Sequence, residues 1–315
     1  MDKKITLGIS SCLLGNKVRH DGSHKRDRFI TDILSDYFDF QSFCPETAIG
    51  MSIPRPAIRL ADIDGNTRLV NSDDASIDHT DAMQEASQLY SNGLQHLSGY
   101  ILKSKSPSCG LERVNLYNAK GYGEKKGVGI FAAELLEANP HLPVEEEGRL
   151  HDAGIRENFI ERVFAYHRWQ TMLAEDFTVK GLMDLHRLHK FVLLAHNESI
   201  YRQMGKLVAD TRADTLEANA QQYIDLFSAA MKSRATRKRH VNVMQHCMGF
   251  IKNDLVSEDK QELLTLFEKY GRGEVPLVVP VTLLKYHFKK QPDNYINEQV
   301  YMNPYPEELM LRNHV

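Results

Sequence analysis

Ile5-Thr6-Leu7-Gly8-Ile9-Ser10-Ser11-Cys12-Leu13-Leu14-Gly15 decides how this chain reads. A short apolar run is followed at once by a cysteine between serines and a glycine. Such a run reads as a strand buried on both faces, as strands of a parallel sheet are. Tyr100-Ile101-Leu102 is a second run of this type, and it too leads to a cysteine through Ser106-Pro107-Ser108-Cys109-Gly110. Between the two, Ala75, Ile77, Met83, Ala86, Leu89, Tyr90 and Leu94 fall at helical steps within residues 73–97. A further helix is predicted over 128–136, opened by Gly127 and Gly129.

Working outward, short strands alternating with helices predict an α/β domain on a Rossmann-like parallel sheet. Residues 137–150 hold Pro140, Pro143, three consecutive glutamates and Gly148, and read as the end of that domain and a connector. Beyond it the pattern changes to an all-α domain. Apolar residues recur at three- and four-residue steps over 155–173, 182–208, 215–231, 241–251 and 259–270. Residues 276–280 read as a short extended piece before a last helix to 289, and the proline-containing tail as irregular. The expected domains are 1–150 and 151–315.

The totals narrow the class. The chain has 315 residues, with 42% hydrophobic and 26% charged, as an ordinary globular protein does. No apolar stretch approaches the ~20 residues that span a bilayer. Met1-Asp2-Lys3-Lys4 does not lead into a signal-peptide core, so a cytoplasmic location without membrane contact is expected. The net charge of −3 hides a basic segment, Lys232, Arg234, Arg237, Lys238 and Arg239, with no acid within 232–240. A local patch of this kind can hold phosphate, and is also what a solvated helix face looks like.

Only four cysteines are present. In a reducing compartment their roles reduce to metal binding, nucleophilic chemistry or burial. Cys12 and Cys109 each follow a predicted strand, and Cys44 opens Cys44-Pro45-Glu46. Loops at the carboxyl ends of parallel strands converge on one crevice, so the three can meet. Thiolates suit zinc, copper or iron–sulfur centres. Spacing alone leaves three readings open: buried small hydrophobes, zinc with an added histidine, or an iron–sulfur site. Cys247 lies mid-helix and stands apart.

Around these cysteines, Glu46 reads as a general acid or base, or as a loop-capping carboxylate. Ser106 reads as a group that bonds a base or orients water, or as the stabiliser of a proline turn. Lys103 and Lys105 suit phosphate or a polarised carbonyl. Arg19, His20 and Asp21 precede Gly22 in a turn that grips phosphate or closes on itself as a salt bridge. His186, His189 and His196 could share a helix face as a second metal site, or satisfy core hydrogen bonds.

Ser11-Cys12-Leu13-Leu14-Gly15, Val18-Arg19-His20-Asp21-Gly22, Cys44-Pro45-Glu46, Pro54-Arg55-Pro56, residues 103–110 and Gly127-Val128-Gly129 together resemble the thiouracil desulfidase (TudS-like) family. The resemblance covers about residues 1–150. It implies a 4Fe-4S cluster on Cys12, Cys44 and Cys109 and a C=S bond of uracil replaced by C=O, and it supports Glu46 as a catalytic group; Ser106 is the second catalytic candidate. The second half, through Leu188-His189-Lys190, Leu194-Ala195-His196, residues 236–243 and residues 276–284, resembles the helical domain of RudS-type desulfidases. These act on 4-thiouridine in transfer RNA. The resemblance implies tRNA as partner. By their charge, Arg19, Lys105, Arg234, Arg237, Lys238, Arg239 and His240 are the candidate contacts, and no protein partner is expected. Arg59 stands where the stand-alone enzymes lead one to expect an acid, and could face RNA phosphate.

Overall fold

The computed structural model describes residues 4–315, so residues 1–3, on which the signal-peptide reading partly rests, lie outside the described residues. The chain forms two compact units, Met1–His151 and Asp152–Val315.

The first unit is built on a parallel sheet of β1 (Ile5–Ser10), β2 (Phe38–Phe43), β5 (Gly99–Leu102) and β8 (Val144–Glu146), in the order β2-β1-β5-β8. Leu7, Ile9, Tyr100, Ile101 and Leu102 are wholly buried, as the continuous apolar runs require. Gly8 is there for space: a Cβ on it would lie 2.2 Å from ring carbons of Tyr100 on the next strand. The register pairs Ser10 with Phe43 and Ile9 with Ile101, so the three strands end nearly level. Strand order runs outward from β1 to β2 on one side and from β5 to β8 on the other. The switch between β1 and β5 is where such sheets open a crevice at their carboxyl ends.

A second, mixed sheet joins β3 (Ile58–Ile63), β4 (Asn66–Asn71), β6 (Val114–Tyr117) and β7 (Gly123–Gly127), in the order β4-β3-β6-β7. Asp64 and Gly65 both take positive φ in the tight turn between β3 and β4, the conformation favoured by two-residue hairpins. Helices α1 (Arg28–Asp32), α2 (Pro45–Ala48), α3 (Thr80–Ser91) and α4 (Ile130–Ala138) complete the unit. Met83 of α3 and Ile130 of α4 pack with Leu60, Leu69 and Val114 of the second sheet.

The α/β reading of this half holds, with three differences. The predicted helix over 73–97 contracts to α3. Asp78 accepts the Thr80 N–H at 2.8 Å and its hydroxyl at 2.6 Å, fixing the start, while Ile77 and Leu89 are exposed. The mixed sheet was not foreseen. The connector assigned to 137–150 contains an edge strand, β8, and Glu145, Glu146 and Glu147 are buried. Polar partners make that burial possible: Glu146 accepts the Leu111 N–H at 2.8 Å and Glu147 the Ser104 N–H at 2.7 Å.

The second unit is helical: α5 (Ala153–Glu175), α6 (Val179–Leu188), α7 (Lys190–His196), α8 (Glu198–Ala209), α9 (Leu216–Lys232), α10 (Arg237–Ile251), α11 (Ser257–Arg272), α12 (Val278–Lys290) and α13 (Asn294–Asn297). Trp169, Tyr223, Phe227, Phe267 and Tyr270 are among its buried residues. No described helix is long and apolar enough to cross a membrane.

The single helix predicted over 182–208 is three. Asn197 interrupts it and caps α8 by accepting the Ile200 N–H at 3.1 Å. Residues 276–280 are not extended. Pro280 sits in the first turn of α12, where the missing N–H removes no helical bond. In the tail, α13 is a short helix rather than irregular chain. The histidines serve the core: His189 Nδ1 meets the Leu185 carbonyl at 2.8 Å, His196 Nε2 meets Glu161 at 2.8 Å, and His186 stacks on Tyr201. They do not assemble as a metal site.

Candidate active site

Each loop at the carboxyl edge of the parallel sheet delivers a thiol or a charged group. Cys12 lies in the 3-10 turn after β1, Cys44 directly follows β2 at the start of α2, and Cys109 ends the loop after β5. All three line one cavity of about 340 Å³, together with Glu46, Ser106, Arg19 and Lys105. No set of three or more His, Cys, Asp or Glu among the described residues is gathered tightly enough for a single metal ion. The thiols instead surround a shared space.

Their electrostatics follow from that placement. Burial pushes the Cys12 thiol up to about 11, and the neighbouring Cys44 adds to the shift, while Lys103 and Arg19 oppose it. Burial raises Cys109 further, with Glu46, Cys44 and Cys12 acting the same way. The Ser10 side chain opposes this by hydrogen bonding the Cys109 sulfur, and its oxygen accepts the Lys103 N–H at 3.0 Å. Removing protons from these thiols therefore requires a positive partner at the sulfurs.

Glu46 is held from both sides. Arg55 donates to its Oε2 through Nε, at 3.0 Å, and through Nη2. Ser108 donates its hydroxyl to Oε1 at 2.6 Å. Since a serine carries one hydroxyl proton, the 2.9 Å contact between Ser106 Oγ and Ser108 Oγ must be donated by Ser106. Ser106 Oγ also accepts the Cys109 N–H at 3.1 Å. A continuous chain thus runs from the Cys109 backbone through Ser106 and Ser108 to Glu46 and Arg55. Arg55 is itself anchored, donating from Nη2 to the Val18 carbonyl at 2.8 Å.

The walls complete the picture. Lys103 is paired with Glu147 and also donates to the Ser104 carbonyl and hydroxyl, so it is committed inside the loop. Lys105 is exposed at the rim, in the left-handed backbone region at φ 61°. Arg19 Nε is 3.7 Å from Asp21. Phe43 offers a half-buried ring, stacked on Tyr90 with centroids 3.7 Å apart. Gly129 packs on the cysteine loop so closely that a Cβ there would lie 2.4 Å from the Ser108 carbonyl oxygen.

Other predicted residues lie elsewhere. The Arg59 guanidinium sits 5.3 Å from the Tyr117 ring centroid in the second sheet and does not line the cavity. The basic segment does not form one stripe. Lys238 is exposed, whereas Arg239 Nη1 donates to the His196 carbonyl at 2.5 Å and His240 is buried. Arg234, Arg237 and His240 line a separate cavity within the second unit. Arg55, Ser108 and Glu147 were not singled out as site residues, although Arg55 and Ser108 sit inside the quoted motifs.

Comparison with known proteins matches residues 7–147 to the 2-thiouracil desulfurase family. Residues 190–306 match DUF1722, a family of proteins of unknown function. The uncharacterized protein YbgA of Escherichia coli (strain K12) is 31% identical over 152 residues, which is 48% of this chain and 90% of YbgA. The uncharacterized protein YbbK of Bacillus subtilis (strain 168) is 32% identical over 149 residues, 44% of this chain and 95% of YbbK. A solved structure described as the 4Fe-4S-dependent thiouracil desulfidase TudS is 27% identical, covering 47% of this chain and 95% of its own, with a TM-score of 0.39.

Proposed function

Since the chain belongs to the 2-thiouracil desulfurase family through its first unit and carries a DUF1722 domain in its second, we propose that it removes sulfur from a thiolated uracil, presented as 4-thiouridine in transfer RNA. The observation that carries this reading is one cavity lined by three cysteines and by a carboxylate held in place by arginine and serine.

The donor set suits an iron–sulfur cluster. Cys12, Cys44 and Cys109 line one cavity, and thiolates are the soft ligands such a cluster takes. A 4Fe-4S cluster on Cys12, Cys44 and Cys109 supplies, when bound, a soft Lewis-acidic iron without a protein ligand for the thiocarbonyl sulfur. The net reaction is C=S plus water giving C=O plus hydrogen sulfide, with no electron gained or lost.

The protein's own groups handle the water and the ring. Glu46 Oε1, with one lone pair engaged by Ser108, has another for a water proton. Arg55 fixes the plane of that carboxylate, so the proton acceptor faces one direction. Ser106 is a positioning residue, since its hydroxyl is committed to Ser108 and to the turn. Phe43 provides a stacking face for the uracil ring. Lys105 and Arg19, on the same cavity, are charges suited to the phosphate of a flipped-out nucleotide, and Lys238 is an exposed charge of the second unit suited to RNA.

The test is nucleoside analysis of tRNA after anaerobic incubation with reconstituted protein. Conversion of 4-thiouridine to uridine with release of sulfide is the expected result. Conversion of free thiouracil alone would keep the desulfidase reading and remove tRNA from it. No conversion of either would end both.

A further inference from the structure

The second unit holds a cavity of about 470 Å³ at the start of α10, far from any role in sulfur removal by its residue types. Arg234, Arg237, His240, Glu157 and Asn158 line it. Arg234 and Arg237 are exposed and have no ion-pair or hydrogen-bond partner among the described residues. Thr236 caps the helix by accepting the Arg239 N–H at 3.3 Å. The preceding first-turn N–H groups, those of Arg237 and Lys238, have no intrahelical acceptor.

His240 is the second, independent sign of a ligand. It is 7% exposed. Its Nδ1 lies 3.0 Å from the Tyr301 hydroxyl, which is that hydroxyl's one hydrogen bond among the described residues. A buried phenol donates its proton where it can, so Tyr301 donates to Nδ1. That fixes the neutral tautomer with the proton on Nε2. Nε2 has no protein partner among the described residues, and the residue lines the cavity. Burial also drives the His240 ring down to about 3, which keeps it neutral. The wall therefore carries an N–H donor of a largely buried histidine, two guanidinium groups without a partner among the described residues, and the positive end of a 15-residue helix.

We infer that this cavity binds a phosphate group, carried by a free nucleotide or by the end of an RNA chain. Guanidinium forks match phosphate oxygens in pairs, and a neutral imidazole N–H adds a directed third donor. Two residues on the wall carry a carboxyl, Glu157 and Val315, and a Val315 oxygen accepts the Leu277 N–H at 3.0 Å. Glu157 accepts the Tyr305 hydroxyl at 2.9 Å, and burial together with Glu161 raises its pKa, which lowers its negative charge toward an anion. This site does not depend on the chemistry proposed for the cysteines.

The experiment is calorimetric titration of the full chain at constant ionic strength with inorganic phosphate, uridine 5′-monophosphate and uridine. A 12-nucleotide RNA is titrated in parallel, with a 5′-phosphate and with a 5′-hydroxyl. No thiolated base is present, so the outcome is separate from desulfidation. Phosphate and the monophosphate are expected to bind and uridine not to. R234Q/R237Q, at exposed positions, is expected to weaken that binding by at least about tenfold with unchanged circular dichroism. Preference for 5′-phosphorylated RNA, lost in the double variant, identifies an RNA end as the source; binding of the monophosphate without that preference identifies a free nucleotide. Absence of saturable phosphate and monophosphate binding, or equal binding by the double variant, overturns the inference.

Discussion

Replacing Arg55 by methionine tests the arrangement around Glu46 most directly. The arginine side chain is 2% exposed and the glutamate 15%, so the pair is nearly shielded from water. Arg55→Met keeps the length of the stem but removes both hydrogen bonds to Glu46 and the anchor to Val18. Breaking a buried pair by deleting one partner costs about 3–5 kcal/mol, mostly because the surviving charge is stranded. One Ser108 hydrogen bond remains and offsets about 1–2 kcal/mol at most. A net loss near 3 kcal/mol is expected, which is about a hundredfold in exchange protection. Hydrogen exchange read by mass spectrometry on peptides from β1 and β5 measures it. Peptides from the second unit serve as an internal control. Glu46→Gln in the same background removes the stranded charge, so the double variant should recover about half the loss. If the two substitutions are additive and Arg55→Met alone costs under about 1 kcal/mol, the pair does not hold the carboxylate as described.

Four other outcomes follow from the same geometry. Glu46→Gln should keep the brown colour of reconstituted protein and lose turnover by about a hundredfold or more, measured as sulfide release; a colourless variant would make Glu46 structural. Gly129→Ala places a methyl 2.4 Å from the Ser108 carbonyl and 2.9 Å from the Cys109 nitrogen. It should destabilise the first unit by about 1–3 kcal/mol and lower iron content, checked by exchange and by iron assay. Lys238→Glu, on an exposed side chain, should weaken tRNA association and leave turnover of free thiouracil unchanged; equal tRNA affinity removes this residue from the RNA surface. The second unit should be most stable near pH 6.5, read as the midpoint of thermal unfolding by Trp169 emission. His186, His189 and His240 are depressed by burial, so the unfolded chain binds more protons below about 6.5 and stability falls with acid. Glu157, raised by burial, and His196, raised through Glu161 against its own burial, act oppositely: the folded chain holds their protons longer, so Glu157 gives up stability as pH rises from about 4.5 to about 7, and His196 as pH rises above 6.5. A midpoint still rising from pH 7 to pH 8.5 would contradict that assignment.

What the sequence discloses here follows from how each signal is written into it. The parallel sheet was legible because Leu7, Ile9, Ile101 and Leu102 are buried on both faces and so form unbroken apolar runs. Strand β2, Phe38-Asp39-Phe40-Gln41-Ser42-Phe43, escaped notice because a charged residue and two polar ones interrupt it. Strand β8 is harder still, since its Val144-Glu145-Glu146 buries carboxylates that only make sense once Leu111 and Arg149 are seen to satisfy them. The same logic separates the two halves of the site. The cysteines could be found because soft ligands are rare, and each leaves a strand end or opens a Pro-containing turn. Arg55, Ser108 and Glu147 could not be ranked from sequence, because what marks them is a partner 9, 62 or 44 residues away. The basic segment shows the reverse case. Its composition suggested one charged surface, yet helical geometry sends Arg239 toward the His196 carbonyl and His240 into the core, leaving Arg234 and Arg237 at a cavity. Charge is visible in a sequence, but the direction a charge faces is decided by the helix that carries it and by what that helix packs against.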